Sequence, residues 1–391
     1  MANRIRAFSG RISRDRRGAA LLLTLVTVVV LALLSMGGVL GALQEVRAGR
    51  NTLIEQRAFA VAEFGLNKEI ADWDRSRNLP PPTGLAFGAI DSNSVFVAQN
   101  DTARVKVTRL NDNTFWVVSV GRASIGIGAL ESQRNTHMLV RIAYPTINPG
   151  GAIVTAGNLG VKGSAEITGT NTNPTGWLQC PSIAGRDTFA ISYAPGKTVD
   201  IQKEESVTGG INADAAAADS NTYVRYGTES WNSLVANADW KIPGGTFSPE
   251  PTGTATTCDY SMQNNWGEPQ RVGVGVVLGC KDYFPIIYSS SSLALSKGRG
   301  QGILLVNGDL RINGNFQWYG LIIARDDVIK GNGTTDVYGS VMSRNANIND
   351  DNSITGNSYF RWSKCAVESA LRGSAILTRT RERSWAQIYS K

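Results

Sequence analysis

The feature that most constrains this chain is an apolar run without charges over residues 18–43. Between residues 19 and 36 the only polar side chains are Thr24, Thr27 and Ser35. As a helix rising about 1.5 Å per residue, the run would be about 39 Å long, whereas the hydrocarbon core of a bilayer is roughly 30 Å thick. The sequence therefore predicts a helix that spans a membrane.

Charges on either side of this run predict its orientation. Arginines dominate residues 1–17, and Glu45, Arg47 and Arg50 follow the run. A positive flank stays in the cytoplasm, so the rest of the chain is expected on the opposite side of the membrane. A cleaved secretory signal is the competing interpretation, but the run is longer than a typical signal and no small-x-small site closes it before Glu45.

Helical character is predicted to continue beyond the membrane. Residues 44–75 contain no proline, and apolar or small side chains recur at three- and four-residue steps. One helix of about 55 residues is expected, half in lipid and half amphipathic, ending before Pro80. Its outer half needs a surface to pack on.

Two segments of this helix carry a family resemblance. Residues 16–22 (RRGAALL) resemble a type IV prepilin leader junction, and Asn51 followed by 56–66 (QRAFAVAEFGL) resembles the N-terminal region of PilX-type minor pilins. The resemblance implies that a prepilin peptidase cuts between Gly18 and Ala19. The family motif residues that it implies are Asn51, Gln56, Ala58, Phe59, Ala62, Glu63 and Gly65.

The chain departs from major pilins at one position. Major pilins carry a glutamate at the fifth mature residue, where this chain has Leu23, and PilX-type members often lack the glutamate as well. The resemblance implies a leader over 1–18 and a pilin-like helix over 19–79 with its membrane span at 19–43. It also implies partners: the inner membrane, other major and minor pilins, the pilus assembly machinery and the prepilin peptidase.

Alternating strands are predicted after the proline run. Residues 103–110, 114–121 and 137–144 alternate apolar and polar side chains, and a turn is expected at 111–113. These predict an antiparallel meander within residues 80–149, packed on the outer half of the helix. His137 lies in the third strand and is the only histidine, which disfavours His-based triads and most metal centres.

A short repeat predicts a different architecture from residue 150 onward. Units 153–169 and 304–320 align without gaps on their glycines and apolar positions, and units 321–339 and 340–356 follow. Glycine-punctuated units of this length are typical of a parallel β-solenoid. We therefore expect an α+β, mainly β fold, with a solenoid head over 150–360 interrupted by an insertion at 170–302.

One position of this repeat holds Asx side chains, and two interpretations are open. Stacked Asx residues can satisfy turn backbone groups, or a row of carboxylates and amides can serve sugar cleavage or calcium binding. The polar cluster 345–352 lacks the spacing of a calcium loop. The residues that share the aligned position are Asn158, Asp309, Asp326 and Asn345.

The cysteines and tryptophans leave alternatives open as well. Four cysteines outside the membrane predict two disulfides in one of three connectivities, and without a CxxC motif a zinc site is disfavoured. Four tryptophans within 170–302 predict either a partner-contacting surface or core packing. The cysteines are Cys180, Cys258, Cys280 and Cys365, and the tryptophans are Trp177, Trp231, Trp240 and Trp266.

The net charge of +7 is concentrated at the two ends of the chain. Residues 1–18 and 371–391 are basic, whereas the body between them is close to neutral and offers no basic groove for nucleic acid. Residues 361–391 are predicted to form a helical, basic tail that includes Trp385 and Tyr389.

Three function classes follow from these features. The leading one is a non-enzymatic structural minor pilin without a cofactor, placed at or near the pilus tip to prime assembly. The second is a membrane-anchored adhesin or DNA-uptake binding protein. The third is an anchored polysaccharide-active enzyme on a β-helix scaffold.

Overall fold

A single long helix opens the structure, a computed structural model. Helix α1 (Arg16–Ala71) continues without a break from the apolar run into the amphipathic segment, so the predicted long N-terminal helix is confirmed. A 3₁₀ turn (Arg75–Asn78) follows, and the Asp74 carboxylate caps it by accepting the Ser76 amide hydrogen. The residues that the structure describes are 16–98, 101–125, 130–180, 185–330, 333–343, 352–354, 357–379 and 385–388.

An antiparallel sheet packs on the second half of α1. In its second strand buried and exposed side chains alternate, so one face meets the helix. The predicted antiparallel meander is confirmed, and the polar first strand is an addition that the alternation did not indicate. The four strands, each paired with the next, are β1 (Ile90–Ala98), β2 (Asp101–Asn111), β3 (Thr114–Ile125) and β4 (Leu130–Ala143).

Short strands make up most of the chain after β4. In order, the elements are β5 (Gly151–Thr155), β6 (Leu159–Val161), β7 (Ala165–Thr168), β8 (Phe189–Tyr193), β9 (Val199–Ile201), β10 (Val207–Thr208), β11 (Ile211–Ala213), α2 (Ala215–Ala218), β12 (Arg225–Tyr226), β13 (Glu229–Ser230), α3 (Trp231–Ala236), β14 (Trp240–Ile242), β15 (Gly245–Phe247), β16 (Ile286–Ser289), β17 (Leu293–Leu295), β18 (Gly298–Val306), β19 (Leu310–Ile312), β20 (Phe316–Ala324), β21 (Val328–Lys330), β22 (Thr334–Ser343), β23 (Asn352–Ile354), β24 (Asn357–Trp362), α4 (Lys364–Gly373), β25 (Ile376–Arg379) and β26 (Trp385–Ile388). Further 3₁₀ turns are Glu204–Ser206, Ser220–Tyr223 and Leu278–Cys280.

Two parallel sheets contain most of these strands, whereas β12 and β13 form an antiparallel pair of their own. The larger sheet has the order β10-β7-β24-β22-β20-β18-β16-β14, and β5 and β8 pair alongside it. The smaller sheet has the order β15-β17-β19-β21-β23-β6-β9. Equivalent positions of the repeat lie side by side, since Gly302, Gly320 and Gly339 are register partners across three neighbouring strands.

The first repeat unit stacks directly on the last one. Ile153 in β5 is the register partner of Val341 in β22, and Leu159 in β6 is the partner of Asn352 in β23. The chain thus enters the parallel sheets in their middle, builds outward, crosses to the far end and returns. This spatial order of the strands follows from their pairing, and the sequence repeat alone does not predict it.

The predicted insertion over 170–302 needs correction, because much of it belongs to the same sheets. Strands β8 to β11 extend the sheets beyond β5–β7, and β14 to β17 extend them beyond β18–β19. Without these strands, the backbone donors and acceptors at both ends of the stack would lose their partners. The excursion therefore supplies strands at both ends of the parallel sheets.

The predicted helical tail also needs correction. Helix α4 covers only part of residues 361–391, and β25 and β26 then pair antiparallel with β4. The free edge of β4 offers unpaired backbone groups, which explains why the tail returns to the sheet. Tyr389 lies outside the described residues.

The buried side chains form two clusters, one inside the parallel sheets and one between α1 and the antiparallel sheet. Of the four tryptophans, Trp177, Trp231 and Trp266 are buried in the first cluster, and Trp240 packs half-buried against it. The core interpretation of these tryptophans is therefore correct, and the surface interpretation is wrong for the three buried ones.

Candidate functional site

The first half of α1 is an unpacked apolar rod. Every side chain from residue 20 to residue 53 is exposed, and the helix is long and apolar enough to cross a membrane. Exposed leucines and valines in water would be costly, at about 25 cal/mol per Å² of apolar surface. This half of the helix therefore requires lipid or other apolar helices around it.

The second half of α1 presents one buried face to the antiparallel sheet. The buried positions recur at helical spacing and form a narrow stripe, while the intervening positions are mostly exposed. The sheet meets the stripe with side chains of β2 and β3, including Val105, Phe115 and Val117. The stripe consists of Ile54, Ala58, Val61, Ala62, Gly65, Leu66 and Glu69.

Two glycines allow the helix and sheet backbones to come unusually close. A methyl group added at Gly65 would overlap the Ala103 side chain and stand 2.8 Å from Ser119 Oγ. A methyl group added at Gly121 would overlap the Ala58 carbonyl oxygen and the backbone of α1. Neither position can hold a side chain without moving the helix off the sheet.

Ion pairs flank this contact. Arg57 Nε donates to Asp101 Oδ2 at 2.7 Å, and the Asp101 side chain is nearly fully buried. Arg134 Nη2 lies 2.6 Å from Glu55 Oε2 across the helix–sheet interface. Because Asp101 is buried with an arginine partner, losing Arg57 would leave an uncompensated charge.

A buried arginine network closes the end of α1. Arg77 contacts Glu69 at 2.6 Å and Asp91 at 2.7 Å. Burial opposes the charge of Arg77, but hydrogen bonds and attraction from the two carboxylates outweigh it, so the pKa of Arg77 is raised. Helix, 3₁₀ turn and β1 are thereby joined through one guanidinium.

Arg109 has the most buried guanidinium of this region and binds backbone. Its side chain has no exposed surface, and Nη1 donates to the carbonyl oxygens of Leu79 at 2.7 Å and Leu85 at 3.0 Å. Burial, together with repulsion from Arg372, lowers the pKa of Arg109. The arginine holds the proline-containing loop after α1 against the sheet.

Comparison with known proteins finds a likeness among solved structures. No protein-family model matches this chain, and no curated protein matches it. Among solved structures it is similar to the competence-associated pilin ComZ from Thermus thermophilus. The identity is 15%, the likeness covers 86% of this chain and 98% of that chain, and the TM-score is 0.25. A TM-score of this size supports no conclusion about fold or function.

The structure divides the motif residues between two faces of α1. Ala58, Ala62 and Gly65 are buried against the sheet. Asn51 and Gln56 are exposed, and Phe59 and Glu63 are half-buried. The small motif residues thus belong to the close helix–sheet contact, while the polar ones border the free face of the helix.

The predicted processing site lies at the start of the described chain. Gly18 and Ala19 belong to the first turns of α1. Cleavage between them stays a prediction.

Sequence reasoning missed Gly121, Asp101 and Arg109, although a lone glycine inside an alternating strand signals a close backbone approach.

The cysteines form two disulfides. Cys180 pairs with Cys365, and Cys258 pairs with Cys280. Of the three connectivities open to the sequence, the structure therefore selects the one that links the loop after β7 to α4. The second bond closes a local loop between β15 and β16.

The Asx residues contact turn backbone. Asn158 Oδ1 accepts the Thr198 amide hydrogen at 3.0 Å, and Asp309 Oδ1 accepts the Asp327 amide hydrogen at 3.3 Å. Both bonds join neighbouring units of the parallel sheets, which agrees with the turn interpretation. Asn345 and most of the 345–352 cluster lie outside the described residues.

His137 lies in strand β4. Its ring meets Trp116 edge-on with centroids 6.0 Å apart. Within the described ranges, no three His, Cys, Asp or Glu side chains group closely enough to hold a metal ion.

Proposed function

We propose that this chain is a minor pilin of a type IV pilus, inserted in the inner membrane, processed after Gly18, and structural rather than catalytic. One observation carries the proposal: a continuous helix whose exposed apolar half emerges from a half packed on an antiparallel sheet. A soluble core helix would bury its apolar surface, and a simple anchor would need no rigid joint to a sheet.

Such a subunit would function by assembling noncovalently with other pilins. Its apolar half would leave lipid for a bundle of like helices, where close packing replaces contacts with lipid tails. Leu23 offers no carboxylate to a neighbouring amine, so we expect apolar contacts to place this subunit. The Arg77 and Arg109 networks would transmit the position of the helix to the rest of the chain.

We further infer that the two parallel sheets are the faces of one β-solenoid. From β14 to β24 consecutive strands alternate between the sheets, and equivalent strands pair in parallel. A head of this size on the antiparallel sheet would crowd neighbours along a shaft. This supports a position at or near the pilus tip, where the chain could prime assembly.

A role as a surface adhesin or DNA-uptake binding protein is the second candidate. The observation that favours a binding role is a groove of about 690 Å³ on the larger parallel sheet, lined by polar and aromatic side chains. Such a role is compatible with tip placement, because a tip subunit exposes its head.

Processing gives the sharpest test of the pilin proposal. The full chain is coexpressed with a prepilin peptidase, and the membrane fraction is analysed by intact-mass and N-terminal peptide spectrometry. We expect a mature chain that begins at Ala19. Gly18→Leu should block cleavage, because a pocket fitted to glycine has no room for a side chain.

Gly37→Leu is the matched control, since it makes the same change within the apolar run where no neighbour lies within 4 Å. It should be processed like the unaltered chain. An uncut N-terminus, or removal of the whole apolar run, would refute the proposal.

A further inference from the structure

A groove crosses the outward face of the larger parallel sheet. We define the outer groove by Arg299, Gln317, Thr334, Asp336, Tyr359 and Arg361, which line a cavity of about 690 Å³. Tyr359 and Arg361 also line an adjacent smaller cavity that reaches Glu166 and Thr208. The two cavities therefore share a floor and run across strands from β18 to β10.

Strand register arranges the groove residues in a column. Arg299, Gln317, Asp336, Tyr359 and Glu166 are successive register partners on five neighbouring strands. At about 4.8 Å between strands, the column is about 19 Å long. A regularly spaced row of this length suits an extended polymer better than a compact small molecule.

Of the cations that line the outer groove in the described chain, Arg299 and Arg361 are paired within the protein, whereas Lys297 is exposed. Arg361 donates to the Asp336 carboxylate, and Arg299 contacts the fully buried Glu268 carboxylate at 2.9 Å. Burial raises the pKa of Asp336, and the charge of Arg361 partly offsets the rise. A phosphate backbone is bound by several uncompensated cations, so a groove that leaves Lys297 alone without a carboxylate partner among the described residues does not favour nucleic acid.

Aromatic rings lie in fixed positions beside the column. The Arg361 guanidinium lies 4.6 Å from the Tyr359 ring centroid and 5.1 Å from that of Tyr338. Tyr338 in turn contacts Tyr319 at a centroid distance of 4.7 Å. The half-buried rings of Tyr338 and Tyr359 contact the Arg361 side chain of the ion pair, so a ligand would meet a largely preorganised surface.

The aromatic rings and polar groups of the outer groove favour one class of ligand. Aromatic faces pack against the C–H faces of sugar rings, while carboxylate, amide and guanidinium groups bond to ring hydroxyls. A nearly neutral groove with both kinds of group matches a polyhydroxylated chain of low charge. We propose that the outer groove binds an extended glycan. This inference goes beyond pilus assembly and does not depend on leader processing.

Binding is measured on the full chain in lauryldimethylamine oxide, a detergent without a sugar headgroup. Chitohexaose and cellohexaose are titrated by calorimetry at physiological salt, with a twenty-nucleotide oligothymidine in parallel. We expect at least one hexasaccharide to bind in the micromolar to millimolar range, and the oligothymidine not to bind. Tyr359→Ala should weaken that binding at least about tenfold, whereas Tyr359→Phe should keep it within about threefold.

A pair of exposed threonines supplies the matched control. Thr334→Trp adds an indole into the outer groove, whereas Thr246→Trp adds one on the smaller sheet. Only the first should abolish glycan binding. If Thr334→Trp fails to fold by circular dichroism, Gln317→Ala takes its place.

Three results would overturn the proposal: no hexasaccharide binds, the two tryptophan variants behave alike, or Thr334→Trp removes binding of the oligothymidine instead. The last result would assign the groove to nucleic acid. None of these results bears on cleavage after Gly18, so failure here is distinct from failure of the pilin proposal.

Discussion

Ala143 and Ile376 are register partners in adjacent antiparallel strands, although both parallel sheets lie between them in the sequence. The chain leaves the antiparallel sheet at the end of β4. It returns to the same sheet at the start of β25, which pairs with β4. The parallel-sheet region is thus an insertion into the antiparallel sheet, attached by two adjacent connections. The separate hydrophobic cluster between α1 and the antiparallel sheet supports this division.

Excising the parallel-sheet region should leave a folded remainder. Replacing residues 145–374 with a short glycine-serine linker joins two chain ends that already lie side by side, and closing a short loop costs little entropy. We expect α1 and β2–β4 to keep their hydrogen-exchange protection. Some stability should be lost, because the contact between Arg372 and Asp112 is removed.

Deleting residues 170–302 is the contrasting experiment. This deletion removes β8–β11, β14–β17 and the first part of β18, so the parallel sheets should lose cooperative unfolding. If the larger excision destroys exchange protection in β2–β4 while the smaller deletion is tolerated, our division of the chain is wrong.

Gly65→Leu should destabilise the helix–sheet joint by about 1–4 kcal/mol, because the side chain has no space against Ala103. Thermal unfolding of the full chain in detergent, followed by circular dichroism, measures the effect. Gly49→Leu makes the same change where no neighbour lies within 4 Å, and helix propensity should make it neutral or slightly stabilising. Equal melting of the two variants would show that the close contact does not exist.

Arg109→Met should cost about 3–5 kcal/mol, because the buried carbonyl oxygens of Leu79 and Leu85 would lose their donor. Denaturant unfolding of the full chain measures the loss. Arg104→Met, on an exposed position of the same strand, should change stability by less than about 0.5 kcal/mol. A small effect at Arg109 would mean that water satisfies these carbonyls.

Asp282→Asn should stabilise the protein near neutral pH. Burial raises the pKa of Asp282 above its usual 3.8, Lys281 and Arg271 oppose the rise, and Asp74 adds to it. The folded state therefore binds the proton more tightly than the unfolded state, and the charged form costs stability above the folded-state pKa. The advantage of the variant in melting temperature should shrink as pH falls below that pKa and vanish below about pH 3.

Asp259→Asn should have the opposite sign. Hydrogen bonds from the Ser261 hydroxyl and amide lower the pKa of Asp259, so its charge stabilises the folded state above pH 3.8. Losing the charge should lower the melting temperature near neutral pH and have no effect in strong acid. A constant difference across pH for either variant would rule out ionisation as its cause.

The two disulfides should differ in their contribution to stability. Cys180–Cys365 links residues 185 positions apart, whereas Cys258–Cys280 links residues 22 apart. The chain-entropy relation predicts about 2 kcal/mol more stabilisation from the longer loop. Denaturant unfolding of the two Cys→Ala double variants tests this, and a larger loss from the local pair would contradict it.

The sequence by itself determined the elements whose signal is local. Apolar content over 18–43 specifies a helix that needs an apolar environment, and helical spacing of Ala58, Val61 and Gly65 specifies which face packs. Alternation specified the strands near 103–121, and the glycine-punctuated repeat specified the parallel pairing of β18, β20 and β22. In each of these, the residues that decide the structure are neighbours in the chain.

Tertiary structure decided everything that depends on pairing between distant segments. By its sequence, Ile153 could pair with any later unit. In the structure it pairs with the end of β22 that extends beyond the pairing with β24. The choice of Cys365 for Cys180, the return of Ile376 to Ala143, and the column from Arg299 to Glu166 have the same origin. Sheet edges accept any strand with a complementary backbone, so the burial of the whole fold, rather than a local pattern, determines which strand arrives there.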